Sequence, residues 1–368
     1  MFKRLLAVSA AALLTFATAS ITAQVRGDHP TTYTVKKGDT LWDIAGRFLS
    51  KPWLWPEIWQ ANPQVQNPHL IYPGDVLSLV YIDGRPVVTS EGPRAGEAIS
   101  TIPLSDIEAL LKQFNVVDDP KSLPYVVGLE EDRLRSTAGQ SVYVRGLDGA
   151  TPGMIVDISR PVYVFGGGRG KERPGRSDLT FRSERQHSHW TTPSGFGEAS
   201  GEVLGYEMQV HATGEVTQVQ GEVALVVLRE EGREIAAGDR VTPSEAQPYD
   251  LTFMPRAPDT VPANGRILSV ADGMQAGPNL VVALSVGARD GIRNGHTMSI
   301  WSQGVMKPDV VAHGSRLSAK ADAVKLPDEF VGHLMVFRTF DKVSYALVMS
   351  GVRPIHAGDV LKHPDATQ

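Results

Sequence analysis

The sequence predicts a multidomain chain: a small α+β module near the N-terminus, built strand–helix–helix–strand, followed by a mainly-β region of two similar domains. Three observations predict it. Between Tyr33 and Leu79 the apolar pattern runs from strand alternation to a helical period and back within one short stretch. From Pro124 onward short β-rich runs are separated by Gly, Pro and Asp turns. Within that second region, two segments repeat each other in order and spacing.

The elements of the module follow from local chemistry. Tyr33-Thr34-Val35 alternates as a short strand, and Gly38-Asp39 marks a turn. Thr40 is placed to cap a helix, with Asp43 three residues on completing a capping-box pattern. Leu41, Ile44, Ala45 and Phe48 then form one apolar helical face. Pro56 suits the first turn of a second helix, whose Trp55, Ile58 and Trp59 share a face and which Asn62-Pro63 ends. After the Pro73-Gly74-Asp75 turn, Val76 to Leu79 reads as a closing strand. In so small a unit Trp42, Trp53, Trp55 and Trp59 are expected to build the core rather than to face a ligand.

Residues 82–102, rich in Gly, Pro and Ser, read as a linker, and Ser105 to Phe114 as a short amphipathic helix with Ile107, Leu110, Leu111 and Phe114 in register. The repeat comes next. Gly146 to Gly153 introduces Met154 to Ile158, and Gly287 to Gly295 introduces His296 to Ile300, both with Asp-Gly-x-x-x-Gly before the strand. The first copy continues through Ala224-Leu225-Val226-Val227 to Ile235-Ala236-Ala237-Gly238-Asp239. The second continues through Ala346-Leu347-Val348-Met349 to Ile355-His356-Ala357-Gly358-Asp359. The expected organisation is an export signal at 1–23, the module at 31–81, the linker at 82–102, one β domain at 103–246, a proline-rich linker at 247–263 and a second β domain at 264–364.

Bulk properties exclude several functional classes. The 368 residues carry 36 Lys and Arg against 41 Asp and Glu, a net charge of −5. A nucleic-acid partner would call for a basic face, and an anionic membrane for a basic surface. Lys3 and Arg4 precede the apolar stretch Leu5 to Phe16, which has the length of a signal h-region and is too short to span a bilayer. Cleavage after Ala19 or Ala23 fits the small residues that follow, and would leave a soluble periplasmic chain of net charge −7. With no cysteine there is neither disulfide nor thiol catalysis.

From Tyr33-Thr34-Val35-Lys36-Lys37-Gly38-Asp39-Thr40-Leu41-Trp42-Asp43-Ile44-Ala45 through Asn62-Pro63 to Ile71-Tyr72-Pro73-Gly74-Asp75-Val76-Leu77, the module resembles a LysM domain. It departs from the family at Lys51 to Trp59, which is longer and more aromatic. The resemblance implies binding of N-acetylglucosamine-containing glycan strands of peptidoglycan across two facing loops. Those loops correspond here to Gly38, Asp39, Thr40 and Leu41, and to Asn67, Pro68, His69, Leu70, Ile71 and Tyr72. Asp39 and Thr40 are expected to serve the turn and the cap, and Leu41 the core, which leaves the second loop as the better source of contact. The whole layout resembles the TsaP family of type IV pilus secretin-associated proteins, whose C-terminal part is similar to that of flagellar assembly protein T. Leu123 to Gly128 and Val142 to Gly146 carry that likeness. It implies an outer-membrane secretin as protein partner.

Catalytic chemistry finds little support. His187-Ser188-His189 has the His-x-His spacing of wall peptidases, but the further His and Asp that such sites need are not recognisable, so a solvated loop is expected. Residues 166–186 hold Arg169, Lys171, Arg173, Arg176, Arg182 and Arg185 against three acids and read likewise as a solvated loop. No His-Glu-x-x-His, Gly-x-Ser-x-Gly or phosphate-binding glycine loop occurs. The expectation is a binding protein with no cofactor, no metal and no enzymatic activity. The competing reading is a LysM-targeted wall hydrolase or an activator of one.

Overall fold

The computed structural model describes residues 25–59, 71–82, 85–92, 107, 111, 114–166, 190–191, 202–229, 232–244, 253–271, 275–309, 311 and 323–367. The N-terminal module comprises β1 (Thr32–Thr34), α1 (Leu41–Phe48), a 3-10 turn over Pro52–Leu54, α2 (Trp55–Trp59), β2 (Val76–Ile82) and β3 (Arg85–Glu91). Thr40 caps α1 as its spacing predicts: its Oγ1 accepts from the Asp43 amide at 3.2 Å and donates to the Asp43 carboxylate at 2.7 Å. The face of Leu41, Ile44, Ala45 and Phe48 packs with Trp55, Ile58, Ile71 and Leu77 into one apolar core.

Part of the stretch read as a linker is structured. Arg85–Glu91 forms β3, antiparallel to β2 along its whole length, so the module's sheet is three-stranded in the order β1-β2-β3. The physical reason is present in the sequence. Asp83-Gly84 is a two-residue hairpin signal, and it is followed by Val87-Val88-Thr89, a β-branched run. The helix expected at Ser105 to Phe114 also ends early. Ile107 and Leu111 are helical and buried, but Phe114 already belongs to a strand.

The remaining chain is mostly β. Its first sheet holds β4 (Phe114–Val117), β5 (Tyr125–Leu129), β6 (Ser141–Arg145), β7 (Ile155–Gly166), β9 (Val203–Gln220), β10 (Val223–Leu228) and β11 (Arg240–Pro243). The order is β10-β6-β5-β11-β7-β9-β4, and a β9–β10 ladder closes the sheet on itself. The second sheet holds β8 (Trp190–Thr191), β12 (Ile267–Ala271), β13 (Val281–Leu284), β14 (Thr297–Ser302), β17 (Glu329–Thr339), β18 (Ser344–Gly351) and β19 (Val360–Lys362). Its order is β19-β14-β17-β18-β13-β12-β8, and a bridge between Arg266 and Val360 joins the two flanks. A separate hairpin, β15 (Met306–Pro308) with β16 (Ala323–Lys325), stands between β14 and β17. Val142, Val156, Val216 and Val226 are among the residues filling the first sheet's interior. Val282, Met298, Leu334 and Val348 are among those filling the second.

Two expected boundaries are blurred by packing. Trp190–Thr191, in the range of the first β domain, adds a strand to the second sheet, pairing with Ala271 and Val270. The proline-rich stretch is not free either. Phe253 is buried, and Arg256 pairs with the start of β14, its amide donating to the Gly295 carbonyl and its carbonyl accepting from Thr297.

The module is docked on the second sheet. Trp42 and Trp53 leave the module's own core and join Met335, Phe337 and Tyr345 in a cluster shared with Phe165 and Leu204 of the first sheet. The Trp53 ring lies 6.4 Å from Trp42 and 4.6 Å from the His333 imidazole, which in turn lies 5.0 Å from Phe330. Lys51 pairs with Asp365 across the same seam. The aromatic surplus at Lys51 to Trp59 therefore serves an interface between domains, where the sequence led us to expect a module core.

One turn recurs through the molecule. At Tyr72–Asp75, Ala236–Asp239 and His356–Asp359 the third residue is a glycine with φ of +94°, +92° and +98°. The aspartate side chain accepts from the first residue's amide at 2.8–3.1 Å. A positive φ admits glycine readily, and the carboxylate adds an acceptor for the first residue's amide to the turn's own backbone bond from the aspartate amide to the first carbonyl.

Candidate functional site

Lys36–Asp39 uses the same turn, with Gly38 at φ +94°. Asp39 Oδ2 accepts from the Lys36 amide and from the Tyr33 hydroxyl, both at 2.8 Å. Burial, reinforced by the neighbouring Asp39 carboxylate, raises the Tyr33 phenol pKa above its ordinary value. The Arg47 guanidinium lies over the Tyr33 ring, 4.7 Å from its centroid. The first loop is thus braced from both sides.

The second loop is tied to the first through Val35. The Val35 amide donates to Asp75 O and the Gly74 amide to Val35 O, each at 2.8 Å. These bonds set the Tyr72–Asp75 turn beside the chain that leads into Gly38. Ile71 is buried in the core, while Tyr72 is half-buried at the loop's end. Asn67, Pro68, His69 and Leu70 lie outside the described residues.

The predicted residues therefore separate by role. Asp39 closes the turn, Thr40 caps α1, and Leu41 and Ile71 are buried in the core. What these positions present outward is backbone at Gly38 and the partly exposed Tyr72. The amides of Leu41 and Trp42, in the first turn of α1, have no intrahelical acceptor by construction of a helix. That end of α1 also carries the positive pole of its dipole. Such a surface suits a neutral ligand rich in carbonyl and hydroxyl groups.

Sequence reasoning missed Asp75 as a site residue. It is fully buried, and its Oδ2 accepts from the Tyr72 amide at 3.1 Å and from Ser90 Oγ at 3.3 Å. A Cβ on Gly92 would lie 2.3 Å from Asp75 Oδ1, so the end of β3 is pressed against this carboxylate. Asp75 thus positions the Tyr72 loop, and β3 positions Asp75. The signal is the repeated Gly-Asp pair, but its partner strand lies in the stretch whose composition reads as a linker.

Among the described residues no group of three His, Asp or Glu side chains is placed to hold a metal ion. His187, His189 and the basic residues from 169 to 186 lie outside them. Among the described residues no helix is long and apolar enough to cross a membrane.

The comparisons with known proteins fall on the same module. One relative, the uncharacterized protein YqbP of Bacillus subtilis (strain 168), is 43% identical over 60 residues, which is 14% of this chain. The match spans 27% of that protein's own length, about a quarter. Residues 33–80 match the LysM domain family, so this chain carries a LysM domain at its N-terminal end.

Proposed function

We propose that this protein is a non-enzymatic component of the bacterial envelope that holds peptidoglycan glycan strands through residues 33–80 and a protein partner through its β region. The observation that carries the reading is the LysM match, laid over a braced pair of loops, one leading into the start of α1 and the other ending in the partly exposed Tyr72. Acetamido carbonyls meet those amides, and the Tyr72 ring covers an apolar sugar face. Gly38, Asp39, Thr40 and Leu41 shape one wall and Asn67 to Tyr72 the other. Residues 1–23 direct export, and the working compartment is the periplasm.

The partner we infer is the outer-membrane secretin of a type IV pilus, by the layout of LysM module and β region. The two β sheets read as copies of one domain, and their pairings support that. β5, β6, β7, β9, β10 and β11 neighbour one another in the same succession as β12, β13, β14, β17, β18 and β19. Even the irregularity recurs: β5 slips register against β6 between Val126 and Gly128, and β12 slips against β13 between Ile267 and Ser269.

Sacculus pelleting tests the first half. The full chain should pellet with purified peptidoglycan, and a chain lacking residues 25–92 should remain in solution. Equal pelleting of the two rejects the reading. Pull-down of the full chain from envelope extract should recover a secretin. Release of soluble muropeptides by the pure protein would point instead to a hydrolase.

A further inference from the structure

Corresponding insertions behave differently in the two β sheets. Between β7 and β9 the chain leaves its own sheet, and Trp190–Thr191 pairs with β12 of the neighbouring one. Between β14 and β17, at the matching place, the chain forms the β15–β16 hairpin, which pairs with no further strand among the described residues. That hairpin is apolar where it should be wet. Val305 is 65% and Val324 55% exposed, and strand alternation puts Leu326 on the same face. Its base is held firmly. A Cβ on Gly304 would lie 1.8 Å from Leu326 O, and Asp328 accepts from the Gly304 amide at 3.1 Å and from Lys362 Nζ at 2.9 Å.

The position matching Val270, where β8 joins β12, is Leu129 on β5: each is the second paired residue after the register slip. No added strand lies there among the described residues. Beside it, Val127 is 46% and Tyr143 41% exposed, on adjacent strands. Glu130 and Glu131 follow directly, Glu131 already paired with Arg133, while on the hairpin Lys307 shares the face of Val305 and Val324 and Lys325 lies on the opposite face. Polarity, and the charge of Lys307 against Glu130, therefore match between two surfaces of one chain.

We propose that the β15–β16 hairpin of one molecule docks on the β5–β6 face of a second copy of this chain, continuing between molecules the exchange that β8 makes within one. Donor and acceptor surfaces differ, so two copies can exchange hairpins reciprocally as a two-fold dimer, or each can pass its hairpin on to the next in a ring or filament. Desolvating apolar side chains at the centre carries the affinity, and the pairing of Lys307 with the glutamates at the rim sets the register. This inference is independent of the glycan-binding reading.

Analytical ultracentrifugation of the chain from residue 24 tests it. The wild type sediments as a concentration-dependent oligomer. A donor variant, V305E/V324E, and an acceptor variant, V127E/Y143E, each weaken association by about tenfold or more. Mixed in equal amounts they form a one-to-one complex, because one intact hairpin meets one intact acceptor face. Should a variant unfold, K307E mixed with E130K/E131K replaces it, and association should return only in the mixture. A wild type that stays monomeric at every concentration, or a mixture no more associated than its components, overturns the proposal.

Discussion

At the scale of single residues, the recurring turn gives two opposite predictions from one geometry. Asp239 sits in the turn with 3% of its side chain exposed and forms a two-pronged pair with Arg160, itself 3% exposed, at 2.6 and 2.8 Å. Removing one partner leaves a buried charge uncompensated. Asp239→Ala is expected to cost about 3–5 kcal/mol in urea unfolding. Asp359 occupies the same turn in the second sheet, where burial raises its carboxyl pKa. An acid with a raised folded pKa contributes stability at low pH that is lost as pH rises through the folded value. Asp359→Asn keeps the bond from the His356 amide and should match or exceed wild-type stability at pH 7, falling behind only in acid. The histidines add a further pH dependence. Burial lowers the pKa of His333 to about 4, and burial together with Arg256 and Arg293 lowers that of His296 to about 4, against an ordinary 6.5. Between those values the unfolded chain binds the proton and the folded chain does not, so stability falls as pH drops from 6.5 toward 4. His333→Gln should flatten part of that slope in urea midpoints measured across the range.

At the scale of elements, two neighbouring tryptophans divide structure from docking. Trp55 lies in the module's core, while Trp53 lies in the seam against His333. Trp55→Ala should unfold the module, with the loss of about 3–5 kcal/mol usual for a buried aromatic, and abolish pelleting with sacculi. Trp53→Ala should keep pelleting but split one calorimetric transition into two, as the module comes free of the β region. A single unsplit transition would mean that the seam contributes little. The contrast also marks what was legible in the sequence. Thr40, Asp43 and the face of Leu41 to Phe48 announce α1 because capping and helical period are local. So do the Gly-Asp turns. The strand β3 is hidden in the sequence because Gly, Pro and Ser nearby outweigh Asp83-Gly84 and Val87-Val88, although its pairing is complete. Trp53 and Trp55 cannot be told apart by pattern, since the partner of Trp53 is remote in the chain. Register misled as well. Aligning Ala224–Val227 with Ala346–Met349 is two residues out of step with the bonds, in which Gly139 donates to Leu228 O and Asn279 to Val348 O. Both lie seven residues before their isoleucines, Ile235 and Ile355. A shift of two residues keeps every side chain on its face, so alternation alone is blind to it. Of the candidate site, the Gly38-Asp39 turn is legible in the sequence and the role of Asp75 is not, because that role depends on β3.

At the scale of the whole molecule, the docked module changes how the protein would work as an anchor. The sequence suggested a LysM module swinging on a flexible tether. The stacked Trp42 and Trp53, His333 and the Lys51–Asp365 pair instead hold it against the second sheet. A lone LysM groove gains few contacts to offset lost motional freedom, so copies held in one assembly gain from multivalency. With fixed modules that gain should depend on geometry. Inserting a Gly-Ser spacer near residue 95 together with Trp53→Ala should lower pelleting of an oligomer less steeply with glycan length than in wild type, read across digested glycans of graded length. The seam has one further consequence, which belongs to synthesis rather than to the finished fold. Its two indoles are made early and their imidazole partner nearly last, because Trp42 and Trp53 lie close to one end of the chain and His333 close to the other. Domains generally fold as units in the order in which they emerge. A nascent LysM module would therefore stand complete with a greasy patch uncovered until the final strands arrive, and during that wait it would be a natural client for a holding chaperone.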